Sequence, residues 1–458
     1  MAARRIIAVL CAMSVAVTAL VPPAFAQSRR KGPSLIRDAE IESLMRLYTK
    51  PIFQAAGLNP GSVHVYIIND PRINAFVAGG QRIFIHTGLL TQAKTPNEVI
   101  GVLAHETGHI AGGHLARMQN EIDRKSTAAI IGMLLGAAAV AGGAVAGDGQ
   151  VARAGGGIMM GSQGLTQRMV LSYARAMEAS ADQAAMKYLT ATGQSGKGML
   201  TLFEKLANQS MASLQNVDPY VLSHPMPLDR IRNLEIAAKG SKYFNTLDKP
   251  EIMLRHKLMQ AKLVGFLNPT QVVFQRYPTS DTSLPARYAR AIAMFRSGDT
   301  RNAVKVIDTL IRDLPSDPYF FELKGQALLE GGQPGQAIAP LRQTVKMLPN
   351  NGLIRIMLAQ ALLGTESKAN AQAALSELRL ARKTEDDTPS LYQFMAMAYG
   401  IMGDIPRADL ATAEFAFYRG DKELATEKAK IAMRTLKRGS PDWLRANDIL
   451  NFVNRSEE

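Results

Sequence analysis

The sequence predicts a mostly helical chain with an α+β beginning: a helical domain carrying a small sheet, followed by an α-solenoid of helix pairs. Three observations predict it. His105-Glu106-Thr107-Gly108-His109 lies in a well-signalled helix, two short β-branched stretches precede it, and from Tyr288 onward the recurring glycines and alanines open each series with an interval of 34 residues.

Residues 1–26 carry Arg4-Arg5, an apolar run from Ile6 to Val21 and Ala24-Phe25-Ala26 before Gln27, the pattern of a cleavable secretory signal. The only cysteine, Cys11, falls inside it, so the mature chain is expected to rest on core packing without a thiol or disulfide. Formal charge is +14, or +12 without Arg4 and Arg5; residues 27–280 hold 27 Lys/Arg against 17 Asp/Glu, and residues 281–458 hold 24 against 22. A basic surplus on the first half of an exported chain favours peripheral contact with an anionic membrane surface or acidic envelope polymers over nucleic acid.

A first domain is expected over 27–252. Its strands are Val63 to Ile68, apolar and β-branched, and Arg82 to His86, which alternates in character and is separated by Gly79-Gly80 from Asn74-Ala75-Phe76. An exposed edge beside the metal helix would align an extended peptide by backbone hydrogen bonds, which makes Asn74, Ala75 and Phe76 the candidate substrate-edge strand. Next, Thr95-Pro96-Asn97-Glu98 reads as an N-cap, a proline at the first helical position and a capping-box glutamate, followed by apolar Val99, Ile100, Val102 and Leu103.

On that helix two histidines four apart point the same way, and Glu106, one step round, can take a proton from a metal-bound water. A buried helix can also carry histidines as plain hydrogen-bonded core residues, so a third ligand has to decide. His114 does not supply it. The metzincin pattern would need histidine where Leu115 stands, and on a continuous helix His114 lies about 180° from His105, pointing away from the metal. Glu178 is the better candidate, since it shares a helix face with Asp182: one carboxylate can bind the metal while the other orients a ligand histidine. Between these helices Ser126 to Gly147 holds no charged residue. Residues 126–167 read as a Gly/Ala-rich segment that plugs the site or touches a membrane, and the stretch is long enough for a span.

A connecting helix and linker are expected over 253–284 and the repeats over 285–458. Gly298, Gly332 and Gly420 mark turns, each followed five residues later by Ala303, Ala337 or Ala425; Pro315 and Pro349 close two units, and Ala327, Ala361 and Ala398 fall where helix pairs need small residues. An acidic insertion from Thr384 to Pro389 disturbs the third unit. Such stacks present a concave surface to partners.

The whole resembles the gluzincin-type endopeptidases, and among them the periplasmic beta-barrel-assembly-enhancing protease group. The resemblance spans roughly 35–235 through Asn74-Ala75-Phe76, Ile83 to Leu89, the helix motif extended through Gly113-His114-Leu115-Ala116-Arg117, the Glu178/Asp182 pair, and Ser223-His224-Pro225 with Arg230-Ile231. It implies a zincin-like catalytic domain joined to tetratricopeptide-like repeats, one zinc ion held by His105, His109 and Glu178, and Glu106 as general base. It also puts His224 in a loop over the site, with His224 and Arg230 as candidates for a regulatory fourth ligand or a donor to the transition state. Ligand types alone do not separate zinc from cobalt or manganese. The implied role is cleavage of unfolded or stalled envelope proteins, with the outer-membrane barrel-assembly machinery met through the repeats; a chaperone or scaffold with a mostly latent site is the alternative.

Overall fold

The computed structural model describes residues 34–118, 174–212, 220, 224 and 228–455. The signal-like residues 1–26 and the uncharged segment 126–167 lie outside the described residues.

Four strands form one sheet: β1 (Leu35–Ile36), β2 (His64–Ile68), β3 (Ala75–Ala78) and β4 (Arg82–His86), in the order β1-β2-β4-β3. β2 and β4 run parallel with Ile67 beside Ile85, and β3 folds back antiparallel with Phe76 opposite Phe84. The return needs two left-handed residues, Gly79 at φ +58° and Gly80 at φ +91°, where a side chain would be strained. Alternation then sorts the faces: Ile67, Ile83, Ile85 and Ala75 enter the core, while Tyr66, Phe84 and Phe76 stack in a row on the opposite face. Among the described residues nothing pairs with the outer side of β3, so 74–76 does lead into a sheet edge.

The sheet feeds α1 (Ala39–Ala55), α2 (Thr87–Gln92) and α3 (Pro96–Ala111). Thr95 caps α3 by accepting from Glu98 N at 3.3 Å, and the Glu98 carboxylate reaches back to Lys94 N at 2.9 Å, one residue before the N-cap itself. From Pro96 to Gly108 every residue of α3 is buried, which is why its pattern is apolar on more than one face. It contacts α1, β3 and α6 (Lys197–Ala212). At Gly101 a Cβ would sit 2.5 Å from Met199 Cβ, so only glycine lets α6 come this close. A further helix, α4, starts at 114; α5 covers 174–191, and α7 is Leu228–Lys239.

α8 (Pro250–Leu267) belongs to two cores at once, giving Met259 and Leu263 to the first and Leu258, Ala261 and Val264 to the second. After α9 (Thr270–Arg276) come the pairs α10 (Leu284–Arg296) with α11 (Thr300–Asp313), α12 (Pro318–Glu330) with α13 (Pro334–Met347), α14 (Gly352–Leu363) with α15 (Lys368–Ala381), and α16 (Pro389–Met402) with α17 (Ile405–Tyr418). α18 (Lys422–Thr435) and α19 (Pro441–Arg455) end the stack. Gly298, Gly332 and Gly420 all adopt positive φ at the turns, and the six alanines of the repeat pattern are fully buried. The third pair turns through Glu366 at φ +56° instead of glycine, and Gly403 makes the fourth turn outside the 34-residue series. The acidic insertion has a packing role: Arg37, beside β1, donates to Glu385 at 2.7 Å and to Thr388 at 3.2 Å.

One buried ionic cluster ties the halves together. Lys262 of α8, only 2% exposed, lies 2.8 Å from Asp38, 3.3 Å from Glu40 and 3.4 Å from Glu322 of α12, and Tyr288 donates to Glu40 at 2.8 Å.

Candidate metal centre

The helix repeat turns His105 and His109 to one side of α3, with their Nε2 atoms 3.0 Å apart. α5 brings Glu178 to them, its oxygens 3.3 Å from each Nε2. His224 completes the group, its Nδ1 3.3 Å from His105 Nε2 and 3.0 Å from Glu178 Oε1. One donor atom from each of the four residues lies within 4.8 Å of all the others. Asp182, one turn on from Glu178, lies 2.9 Å from His105 Nδ1. Arg230 of α7 spans both acids: Nε and Nη2 donate to Asp182 at 2.6 and 2.9 Å, and Nη1 is 2.8 Å from Glu178. Its guanidinium is thus engaged with the two carboxylates.

The close approach of α5 depends on Gly108 within the motif itself. A Cβ there would lie 2.8 Å from Ala181 O, which is backbone and cannot swing away. Overpacking of this kind costs about 1–3 kcal/mol. Gly108→Ala is therefore expected to weaken metal retention by moving Glu178 outward; retention unchanged in equilibrium dialysis would show that the interface adjusts.

Comparison with known proteins agrees with this geometry. Residues 37–238 match the description Peptidase family M48. The chain is 33% identical over 217 residues to the metalloprotease LoiP of Escherichia coli (strain K12), an alignment covering 45% of this chain and 76% of LoiP. The chain belongs to peptidase family M48. Its similarity also runs beyond that domain: it is 23% identical over 398 residues to the beta-barrel assembly-enhancing protease of Yersinia pestis and over 402 residues to that of Escherichia coli (strain K12), each covering 86% of this chain and 79% of the relative. As an M48 member it is a metallopeptidase that works with a divalent metal ion.

The residues present fit such an ion. Ring nitrogens and carboxylate oxygens converge at 3.0–3.3 Å, and a cation between them would relieve the repulsion of their lone pairs. Roughly this spacing is what ligands about 2.1 Å from one tetrahedral ion adopt. His224 Nε2 and both oxygens of Glu106 are buried and make no hydrogen bond to any described residue. Electrostatics separate the two glutamates of this M48 site. Burial opposes ionisation of Glu178, but hydrogen bonds from His105, His109 and His224 outweigh it and hold the carboxyl well below the usual range. Glu106 has no such donors, and burial pushes it up to about 7 against the pull of His105 and His109.

His114 departs from the expected direction. The continuous helix assumed for it does not exist: α3 ends at Ala111 with Gly112 as its C-cap, Gly113 turns at φ +60°, and the His114 ring folds back to place its Nδ1 3.1 Å from His109 Nδ1. It points toward the centre, behind a ligand candidate. Two aromatic residues were also missed. Tyr220 stacks on His224 with ring centroids 4.6 Å apart, and Phe203 meets His105 edge-on and lies under Arg230. Tyr220 precedes His224 by four residues, a helical spacing that could have flagged it; Phe203 gives no such signal.

Proposed function

We propose that this M48 chain is a periplasmic zinc endopeptidase that cleaves unfolded or stalled envelope proteins, outer-membrane β-barrel proteins foremost, with its repeats delivering the client. His105, His109 and Glu178 would hold the ion, and Asp182 orients His105 from behind. Zinc, when bound, would supply Lewis acidity and lower the pKa of a water enough for it to act as a hydroxide nucleophile near neutral pH. Glu106 would accept a proton from the attacking water and pass it to the departing amine, a task open to a buried carboxyl that accepts no hydrogen bond from any described residue. The β3 edge aligns the client as an extended strand, which favours tolerance of sequence over a fixed cleavage motif. Arg230 keeps Glu178 and Asp182 ionised and in place. The observation that carries the reading is the convergence of His105, His109, Glu178 and His224 around a point beside the Glu106 carboxylate, which accepts no hydrogen bond from any described residue and has His224 Nε2 3.5 Å away.

Export rests on Arg4-Arg5, the apolar run and Ala24-Phe25-Ala26, and the barrel-protein client on the names of the relatives similar over most of the chain. Among the described residues no helix is long and apolar enough to cross a membrane, and the basic first half supports peripheral contact. Metal content and cleavage of an unfolded barrel protein, measured for wild type beside Glu178→Ala, test the site; Glu178→Ala that keeps stoichiometric zinc would sink it.

His224 supports a second feature, a resting site closed by a fourth ligand. It favours a partly latent enzyme whose binding role continues while cleavage is off. His224→Ala is expected to raise basal cleavage severalfold with metal still bound; unchanged proteolysis in every condition would remove the gating role.

A further inference from the structure

We infer that His114 is a positioning residue for the metal centre, accepting a hydrogen bond from His109 Nδ1 and so fixing that ring with Nε2 turned to the ion. The inference rests on the reading of His109 as a ligand and adds to it the group that holds this ligand from behind.

Once His109 serves as a ligand, one proton assignment is consistent with the geometry. His109 Nε2 faces His105 Nε2 and Glu178, so as a ligand nitrogen it carries no proton, and the proton of the neutral ring must sit on Nδ1. His109 Nδ1 lies 3.1 Å from His114 Nδ1. Two nitrogens at that distance share one proton between them, so His114 Nδ1 accepts and its own proton sits on Nε2. On the other histidine of the motif, Asp182 lies 2.9 Å from Nδ1 of His105, within ion-pair reach although the angle between them makes no hydrogen bond. Ligand histidines generally give their second nitrogen to an acceptor of this kind, and loss of that acceptor costs 10–100-fold in metal affinity. Asp182 serves one histidine of the motif, and His114 serves the other.

The local backbone is shaped for this contact. His114 is 4% exposed although it follows the end of a helix in a glycine turn. A Cβ on Gly112 would lie 2.3 Å from His114 Nε2, so the ring occupies the space a side chain at 112 would need. Gly113 at φ +60° makes the reversal that returns the ring to α3. Both glycines are thus accounted for by the placement of one imidazole.

Three full-length variants test this, with zinc affinity read by competition against a chromophoric chelator and the visible spectrum of the cobalt-loaded protein read in parallel. His114→Leu keeps bulk but removes the acceptor, and is expected to bind zinc about 10–100-fold more weakly and to change the cobalt bands. His114→Asn puts an amide oxygen close to where Nδ1 stood and should restore most of the affinity and the wild-type spectrum. Gly112→Ala displaces the ring without deleting it and should resemble His114→Leu. Wild-type affinity in His114→Leu, or equal weakness in His114→Asn and His114→Leu, overturns the inference, the second result indicating packing alone. His109→Ala keeps the two ideas apart: if it retains zinc, the ligand assignment itself fails; if it loses zinc while His114→Leu keeps it, only the positioning role fails.

Discussion

Glu106→Gln is expected to lower peptide hydrolysis by about 10³-fold while zinc content and affinity stay at the wild-type level. Glu106 shares a helix turn with the histidines, yet neither of its oxygens meets a hydrogen-bond donor among the described residues. Glutamine keeps the size of the side chain and loses only the ability to take a proton, so the variant separates proton transfer from metal binding. The pH profile adds a sign. Burial raises the carboxyl from an ordinary 4.5 to about 7, and the base works only when ionised, so kcat/KM should climb with pH as Glu106 loses its proton. A bound cation favours the ionised form and moves that limb below 7. A Glu106→Gln protein retaining a tenth of wild-type turnover would exclude this residue as the base.

The parts of the site legible in the sequence were those fixed by helical spacing. His105 with His109 and Glu178 with Asp182 are both four apart, so a local rule put each pair on one face before any tertiary contact was known. That the two faces meet was suggested by chemistry and resemblance, and the fold brings them within 3.3 Å through Gly108, whose role depends on a tertiary contact with Ala181 that no local pattern shows. His114 was misdirected because a single periodicity was carried across Gly112-Gly113, and two adjacent glycines were the available signal that it breaks there. The solenoid shows the same division. Its turns were readable at Gly298, Gly332 and Gly420, where glycine supplies positive φ five residues before a buried alanine, and the third pair escaped because Glu366 takes that conformation instead. The Lys262 cluster had no signature at all, since residues 38, 40, 262 and 322 come together only after α1, α8 and α12 have packed.

That cluster leads to the second large effect. Lys262→Met is expected to destabilise the protein by about 3–5 kcal/mol, because it leaves Asp38, Glu40 and Glu322 near one another without their only close cation among the described residues. Burial already raises Glu40 from 4.5 to about 8 and Glu322 from 4.5 to about 7, with Lys262 pulling both the other way. A carboxyl whose folded pKa is raised holds its proton in the native state after the unfolded chain has lost it, so its contribution to stability falls as pH rises from about 4.5 to about 8. Removing Lys262 strengthens that trend. The variant's deficit in urea unfolding should therefore be larger at pH 8 than at pH 5, where the two glutamates are neutral. Because the cluster joins α1 to α8 and α12, the first core and the repeats should also begin to unfold in separate transitions. Adding Glu40→Gln and Glu322→Gln to Lys262→Met should recover much of the loss, since the uncompensated buried charge is then largely gone. A deficit below about 1 kcal/mol, or one equal at both pH values, would mean that water reaches these carboxylates and that the two halves are held by apolar packing along α8 instead.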